Sequence, residues 1–348
     1  MRHRCDTDAP PLFYRCATVD RSYSGLPLLR RALGLARRPM RVLASPWSAP
    51  AWMKSNGKIN ETGELLREMW QPWANYLVKF IKEYEKAGVP LWAVTPQNHA
   101  FSYMKIAWNS QSWSPSNMRD WIKGNFGPAL HNAGLEHLKL YVGDDNRDRI
   151  DFYSRTILQD PEASRYVSGV AVHWYTDPDT PPASLTHAHL LFPDKDILYT
   201  EACIEPTGLP SHQPVILGSW SRAERYAENI IQAKDEFYQQ PMFFVMGHFS
   251  KFVPEGSVSV PSWVRDWGDS EHTLHTAAFI HPHGHLVLQL LNKDDEEREV
   301  RVEWEGWASI HSLLPPRSLQ TLLLPWDGDI THGKQKYSTQ GHRSDGQQ

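Results

Sequence analysis

The chain has 348 residues, of which 36 are basic and 40 acidic, giving a formal net charge of −4. This length accommodates two domains, and 41% hydrophobic residues with 22% charged residues is a globular balance that excludes a disordered or collagen-like chain. Near-neutral charge leaves no electrostatic footprint for nucleic acid. The apolar runs are shorter than the roughly 20 residues that a membrane-spanning helix needs.

Short apolar segments, each followed by small or polar residues, predict the strands of a parallel sheet. Helical spacing of apolar residues predicts helices over 70–87 and 117–130, and a further helix over 223–237. This alternation predicts an α/β fold, and because no Gly-rich phosphate loop follows a strand, a (β/α)8 TIM-type barrel is favoured over a doubly wound sheet. The predicted strands are 41–44, 91–95, 138–142, 169–172 and 197–200.

The pattern changes in the C-terminal third of the chain. Helical spacing predicts a helix over 241–253, and short alternating strands follow at 276–281, 285–292, 299–305 and 318–324. They predict an additional antiparallel, β-sandwich-like domain. The polar residues 327–348 lack periodicity and predict a disordered tail.

Polar and aromatic side chains follow the five predicted parallel strands. Because the carboxyl ends of barrel strands meet on one face, these side chains predict a single site. Glu201 is the best candidate for a nucleophile, since glycoside hydrolysis usually needs two carboxyl groups and this one follows an apolar strand. The strand-end residues are Trp47, Asn98, Asp144, Asp145, His173, Tyr175 and Glu201.

Asp144 and Asp145 are adjacent, and adjacent strand residues point to opposite faces. We therefore expect at most one of them to face the site, and a salt bridge with Arg147 or Arg149 is the alternative. The alternating His281, His283 and His285 give only a weak metal signal, because Pro and Gly between them predict a turn. Residues 60–62 form a single N-glycosylation sequon, which is relevant only in a secreted chain.

Longer blocks resemble a known family. They are residues 43–57 (LASPWSAPAWMKSNG), 92–98 (WAVTPQN), 169–175 (GVAVHWY), 200–203 (TEAC), 217–220 (LGSW) and 240–257 (QPMFFVMGHFSKFVPEGS). In this order they resemble the glucosylceramidases of glycoside hydrolase family 30. The resemblance implies a β/α barrel with a β-sandwich-like domain, and retaining hydrolysis of glucosylceramide or a related β-glucoside without metal or organic cofactor. It also implies contact with a membrane surface, an activator protein, and a lysosomal or secreted location, although we expect no signal peptide at this N-terminus.

The resemblance assigns roles to individual residues. Glu201 matches the family's nucleophile, and Asn98 matches the Asn that precedes its acid/base residue and contacts the sugar. Trp47 and Tyr175 match aromatic positions of the sugar pocket. Residues that fall in matching motifs and support the site are Trp52, Asp144, Arg147, His173 and Trp174.

The chain also departs from the family. His99 stands where the family has its acid/base Glu, and nothing matches the first, second and eighth barrel strands. We therefore expect an incomplete, truncated barrel of about five strands over 27–255, a β domain over 256–326, and an unmatched segment over 1–26. We further expect little or no β-glucosidase activity. The alternative is a catalytically inactive relative or truncated product that at most binds glycolipid or a partner.

Overall fold

The structure, a computed structural model, describes residues 25–36, 39–100, 109–204, 219–233, 242–264, 273–303 and 310–326. Contacts within the chain divide it into two compact units, residues 1–214 and 215–348. The segment expected to be unmatched lies outside the described residues except for its last two positions, and the expected disordered tail lies wholly outside them.

A parallel sheet forms the centre of the first unit, with its strands in chain order. They are β1 (Leu43–Ala44), β2 (Ala93–Val94), β3 (Lys139–Asn146), β4 (Gly169–His173) and β5 (Asp196–Glu201). Each strand pairs in parallel with the next. The predicted α/β sheet is thus confirmed, with five strands in the described ranges where a closed barrel has eight. Every residue of β4 is buried between its two neighbours, whereas β5 is only half-buried.

Helices cover this sheet. They are α1 (Gly25–Leu35), α2 (Trp70–Lys86), α3 (Pro115–Trp121), α4 (Gly127–Asn132), α5 (Ile150–Leu158), α6 (Pro161–Ser164) and α7 (Ala183–Leu191). The helices predicted over 70–87 and 117–130 are confirmed. The second is interrupted by a π-helical turn over Ile122–Phe126, because Pro128 has no N–H to continue the regular bonding pattern.

The core of the first unit is strongly aromatic. Trp121 is fully buried and stacks on Phe126 with ring centroids 4.7 Å apart. Its indole N–H donates to the Trp70 carbonyl at 2.8 Å, so the one polar atom of the ring is satisfied. Many of the tryptophans of this chain therefore stabilise the fold that positions the strand ends.

The second unit combines two helices with antiparallel strands. The helices are α8 (Trp220–Ala233) and α9 (Met242–Phe252), and the strands are β6 (Val258–Val260), β7 (Leu274–Ile280), β8 (His285–Asn292), β9 (Arg298–Val302), β10 (Ile310–Leu314) and β11 (Ser318–Pro325). Four strands form a sheet in the order β11–β8–β7–β6, and β9 pairs with β10. The predicted antiparallel domain and the helix over 241–253 are confirmed.

Both helices of the second unit contact its sheet. Lys293, directly after β8, pairs with Glu228 in α8 at 2.7 Å, and the imidazole of His248 in α9 lies 2.7 Å from the hydroxyl of Thr321 in β11. The domain boundary expected at residue 255 stays a prediction. Over the described ranges, none of the helices combines the length and apolar character that crossing a membrane requires.

Gly169 is required where β4 meets β5. A Cβ atom at this position would lie 2.2 Å from the backbone oxygen of Asp196, its partner in β5. We therefore expect Gly169→Ala to push the two strands apart and to lower the free energy of unfolding by about 3 kcal/mol. Urea unfolding followed by circular dichroism measures the loss.

Gly124→Ala is the matched control, because an added Cβ there meets no atom within 4 Å. We expect this variant to be as stable as the parent chain or to gain up to about 1 kcal/mol. Equal stability of the two variants would contradict the pairing of β4 with β5.

Candidate active site

The carboxylate of Asp144 lies at the centre of the strand ends. Asp144 is 1% exposed, and its two oxygens accept hydrogen bonds from residues of the other four strands or directly after them. His173 Nε2 and Thr200 Oγ1 contact Oδ1 at 3.1 and 2.6 Å. Thr95 Oγ1 donates to Oδ2 at 2.8 Å, and Ser45 Oγ donates to the same oxygen. One buried carboxylate thus joins the ends of all five strands.

These contacts keep Asp144 ionised. Burial acts to raise the pKa of Asp144, but hydrogen bonding and electrostatic attraction from His173, with the hydroxyl donors of Ser45 and Thr200, hold it below its ordinary value. A carboxylate that receives several donors in a buried site is stable as an anion.

A β-bulge brings Asp145 to the site as well. The pairing of β3 with β4 shifts between Gly143 and Asp145, and Asp144 adopts a φ of +52°. The expectation that at most one of the two carboxylates faces the site is therefore wrong, because the bulge interrupts the strand alternation. Asp144 binds His173, while Asp145 Oδ1 lies 3.4 Å from His99 Nδ1. Arg147 and Arg149 pair with other residues, Asp177 and Asp148.

His99 and His173 contact each other directly. His99 Nε2 lies 3.1 Å from His173 Nδ1, and the rings meet edge to face at 80°. His99 follows β2 with a φ of +45°, and its backbone N–H donates to the Asp144 carbonyl at 2.9 Å. Burial acts to lower the pKa of His99, but the hydrogen bond with Asp145 and the nearby carboxylates outweigh it and raise the pKa above its ordinary value.

Glu201 ends β5 beside this histidine pair. Its side chain is 24% exposed, and Oε1 lies 3.9 Å from His99 Nε2. The Tyr175 hydroxyl donates to Oε1 at 2.7 Å and accepts from the Cys203 backbone N–H at 3.2 Å. Burial and the contact with Glu201 raise the pKa of Tyr175, so the phenol stays a donor. Tyr175 thereby orients the carboxylate and leaves its second oxygen, Oε2, for other contacts.

The remaining predicted residues lie around this centre. Asn98 is buried, and its backbone N–H donates to the Pro46 carbonyl at 2.9 Å. Trp47 and Trp52 are 44% and 38% exposed, and Gln97 holds the Trp47 carbonyl at 2.8 Å. Trp47 therefore presents an aromatic face to solvent at the same end of the sheet as Glu201.

Arg147 and Trp174 act on the backbone near the site. Arg147 is 3% exposed, pairs with Asp177 at 3.1 Å and donates to the Asp177 carbonyl at 2.7 Å. It therefore fixes the loop that follows β4. The Trp174 indole N–H donates to the Cys203 carbonyl at 3.0 Å and fixes the segment after Glu201.

Sequence reasoning missed the hydroxyl groups of the site. Ser45, Thr95 and Thr200 each end or follow a strand, as the predicted strand-end residues do, so that position was the available signal. Small hydroxyl side chains are common at strand ends for many reasons. Those that belong to a site are distinguished from the others only by the acceptor that they share. That acceptor is Asp144.

The arrangement offers both nucleophilic and ligating groups. Glu201 can attack an electrophilic carbon that enters from solvent, and His99 provides the nearest imidazole to its carboxylate. Among the described residues, one donor atom from each of His99, His173 and Glu201 lies within 4.8 Å of the others, a spacing that a single metal ion can span.

Two family descriptions match the chain in order. The Glycosyl hydrolase family 30 TIM-barrel domain matches residues 17–235, and the family 30 beta sandwich domain matches residues 266–322. The chain belongs to glycoside hydrolase family 30. The sheet with Glu201 at its carboxyl edge is thus part of a family 30 barrel domain, as the motifs predicted.

Relatives of this chain differ in their named activities. The chain is 34% identical to mouse lysosomal acid glucosylceramidase, over 86% of this chain and 65% of the mouse protein. It is 28% identical to an endo-1,6-beta-D-glucanase of Neurospora crassa, over 83% of this chain and 66% of the fungal protein. The crystal structure of SrfJ from Salmonella typhimurium superposes with a TM-score of 0.74 at 25% identity, covering 87% of this chain and 72% of SrfJ. The chain therefore spans about two thirds of the length of the two enzymes.

Asp144→Asn tests the role of the central carboxylate. An amide nitrogen cannot accept the hydrogen bonds that Ser45, Thr95, Thr200 and His173 now donate, so at least one buried donor loses its partner. We expect the free energy of unfolding to fall by about 3 kcal/mol, measured by urea unfolding.

Asp179→Asn provides the control, because Asp179 is exposed after β4. We expect it to change stability by less than about 0.5 kcal/mol. If Asp144→Asn were equally harmless, the carboxylate would not hold the strand ends together.

Proposed function

We propose that this chain is a glucosylceramidase-like retaining β-glucosidase in which Glu201 forms the glycosyl-enzyme bond but proton transfer is impaired. Activated β-glucosides then glycosylate Glu201, whereas glucosylceramide turns over little or not at all. The observation that carries the proposal is the pairing of an oriented, accessible Glu201 with His99, an imidazole, 3.9 Å away.

Glu201 is suited to attack. Tyr175 binds Oε1 at 2.7 Å and fixes the carboxylate, while Oε2 remains available to an anomeric carbon. Attack would form a bond between Oε2 and that carbon, and the leaving oxygen would depart with the electrons of the glycosidic bond. The exposed face of Trp47 at the same edge supports a sugar-binding pocket.

His99 is poorly suited to complete the reaction. A neutral imidazole in this position carries a single N–H, and that group faces Asp145 Oδ1 and not the leaving oxygen. A protonated one has both N–H groups directed at protein acceptors, Asp145 Oδ1 at 3.4 Å and His173 Nδ1 at 3.1 Å. In neither state does His99 present a hydrogen to the glycosidic oxygen, so an unactivated leaving group receives no general acid catalysis.

The substrate class follows from likeness to the mouse enzyme. We propose a β-glucoside, with glucosylceramide as the candidate, and hence contact with a membrane surface, an activator protein, and a lysosomal or secreted location. The alternative is a relative that binds glycolipid without any chemistry, and His99 is the observation that favours it. Covalent labelling separates the two.

We expect 2,4-dinitrophenyl 2-deoxy-2-fluoro-β-glucoside to label the purified chain at Glu201. Its leaving group departs without a proton, so His99 is not needed, and the fluorine slows breakdown of the glycosyl-enzyme. Intact mass and peptide mapping locate the sugar. Glu201→Gln is the matched control and should remain unlabelled. A folded parent chain that stays unmodified would favour the binding-only alternative and contradict the proposed nucleophile.

His99→Glu should restore general acid catalysis. We expect turnover of 4-methylumbelliferyl β-glucoside to rise by about 10²–10⁴-fold over the parent chain. His99→Asn is the control, because Asn tolerates the φ of +45° but supplies no acid, and should give no gain. Robust turnover by the parent chain that is lost in Glu201→Gln would overturn the proposal that proton transfer is impaired.

A further inference from the structure

We propose that His99 Nε2, His173 Nδ1 and the carboxylate of Glu201 bind a divalent transition metal ion, for which Zn²⁺ is the best-fitting species. Metal binding goes beyond the proposed function, because it needs no glycoside and no bond cleavage. In this proposal His99, which stands where the family has its acid/base Glu, is a metal ligand.

The donor spacing suits a single ion. The two nitrogens lie 3.1 Å apart, and His99 Nε2 lies 3.9 Å from Glu201 Oε1. Two ligands at zinc distances of about 2.0–2.1 Å in tetrahedral geometry are separated by roughly 3.3 Å. One ion between the three groups therefore requires only small side-chain shifts.

The contact of His173 with Asp144 leaves its other ring nitrogen, Nδ1, facing His99. Its Nε2 lies 3.1 Å from Asp144 Oδ1, and because an ionised carboxylate only accepts, Nε2 carries the hydrogen. His173 Nδ1 is not engaged by that carboxylate and is directed at His99. The ring is fully buried, so this orientation is fixed.

The same pattern recurs at His99. Its Nδ1 faces Asp145 Oδ1 at 3.4 Å, which leaves Nε2 directed at His173 Nδ1. Two imidazoles whose outer nitrogens each face a carboxylate, and whose inner nitrogens face each other, are placed to bind one cation between them. Ligating histidines in metalloproteins typically show this outer carboxylate contact.

The ligand types select the metal. Two imidazoles and one carboxylate favour Zn²⁺ and similar ions over Mg²⁺ and Ca²⁺, which prefer sets of oxygen ligands. His99 and Glu201 are 23% and 24% exposed, so the ion has an entry path and a position open to water.

The test uses metal-free full-length protein and ZnCl₂ in isothermal titration calorimetry. We expect one equivalent of Zn²⁺ to bind the parent chain, and His99→Asn and Glu201→Gln each to bind at least tenfold more weakly. His283→Asn is the matched control, since His281 and His285 stack at 4.3 Å beside it in the β7–β8 turn. It should leave the affinity unchanged.

Two outcomes would overturn the proposal. One is no binding by the parent chain, which would show that these three side chains do not form a metal site. The other is binding that survives in His99→Asn and Glu201→Gln but is lost in His283→Asn, which would place the metal in the turn.

Two further measurements guard against misfolding and link the site to the chemistry. Asp145→Asn keeps all three ligands, so we expect it to fold and to bind Zn²⁺ about tenfold more weakly through loss of the outer contact. Added Zn²⁺ should also slow labelling of Glu201, and this readout rests on the proposed function. Failure of labelling in metal-free protein would count against the nucleophile and leave the calorimetric result standing.

Discussion

The buried charge of Asp144 is the constraint on which the rest of the site depends. An ionised carboxylate deep in a protein is tolerated only when donors surround it, and here those donors come from the other four strands of the sheet or from the residues directly after them. Two of the five strands have only two residues each, so their backbone ladders supply few hydrogen bonds. The side-chain contacts to Asp144 compensate by fixing the ends of β1 and β2.

Each side chain around Asp144 is oriented by the one that lies nearer to that carboxylate. Asp144 fixes the ring of His173, His173 and Asp145 together fix the ring of His99, and both rings flank Glu201. The nucleophile is held independently by Tyr175. The proton-holding side and the attacking side of the site therefore have separate supports, so a change in one need not disturb the other.

The sequence predicted the larger features because they follow from repeated local patterns. The helix over 70–87 and the parallel strands have apolar spacing that few other structures satisfy, and parallel strands bring their carboxyl ends together by geometry alone. The meeting of Asn98, His173 and Glu201 at one edge could therefore be predicted. The requirement for glycine at position 169 could not be predicted. It arises because Gly169 of β4 pairs closely with Asp196 of β5, a residue distant in sequence.

The finer contacts escaped prediction for a physical reason. The position of Asp145 depends on a bulge, and the position of His99 depends on a positive φ, and neither follows from residue type. The tautomers of the two histidines depend on which carboxylate each ring meets, which is a tertiary property. A local sequence pattern shows which residues stand at a strand end. The acceptor that each of them contacts depends on the positions of the other strands.

The bulge in β3 shifts the pairing register of the strand by one residue. Up to Gly143 the residues pair one by one with β4, and from Asp145 onward the pairing continues one position later. The length of β3 is thus coupled to the identity of the side chains that reach the pocket. A one-residue deletion at Asp144 would restore a regular ladder and leave a single carboxylate for two histidines. Within this sheet, the number of residues between Gly143 and Asn146 is as tightly specified as their chemistry.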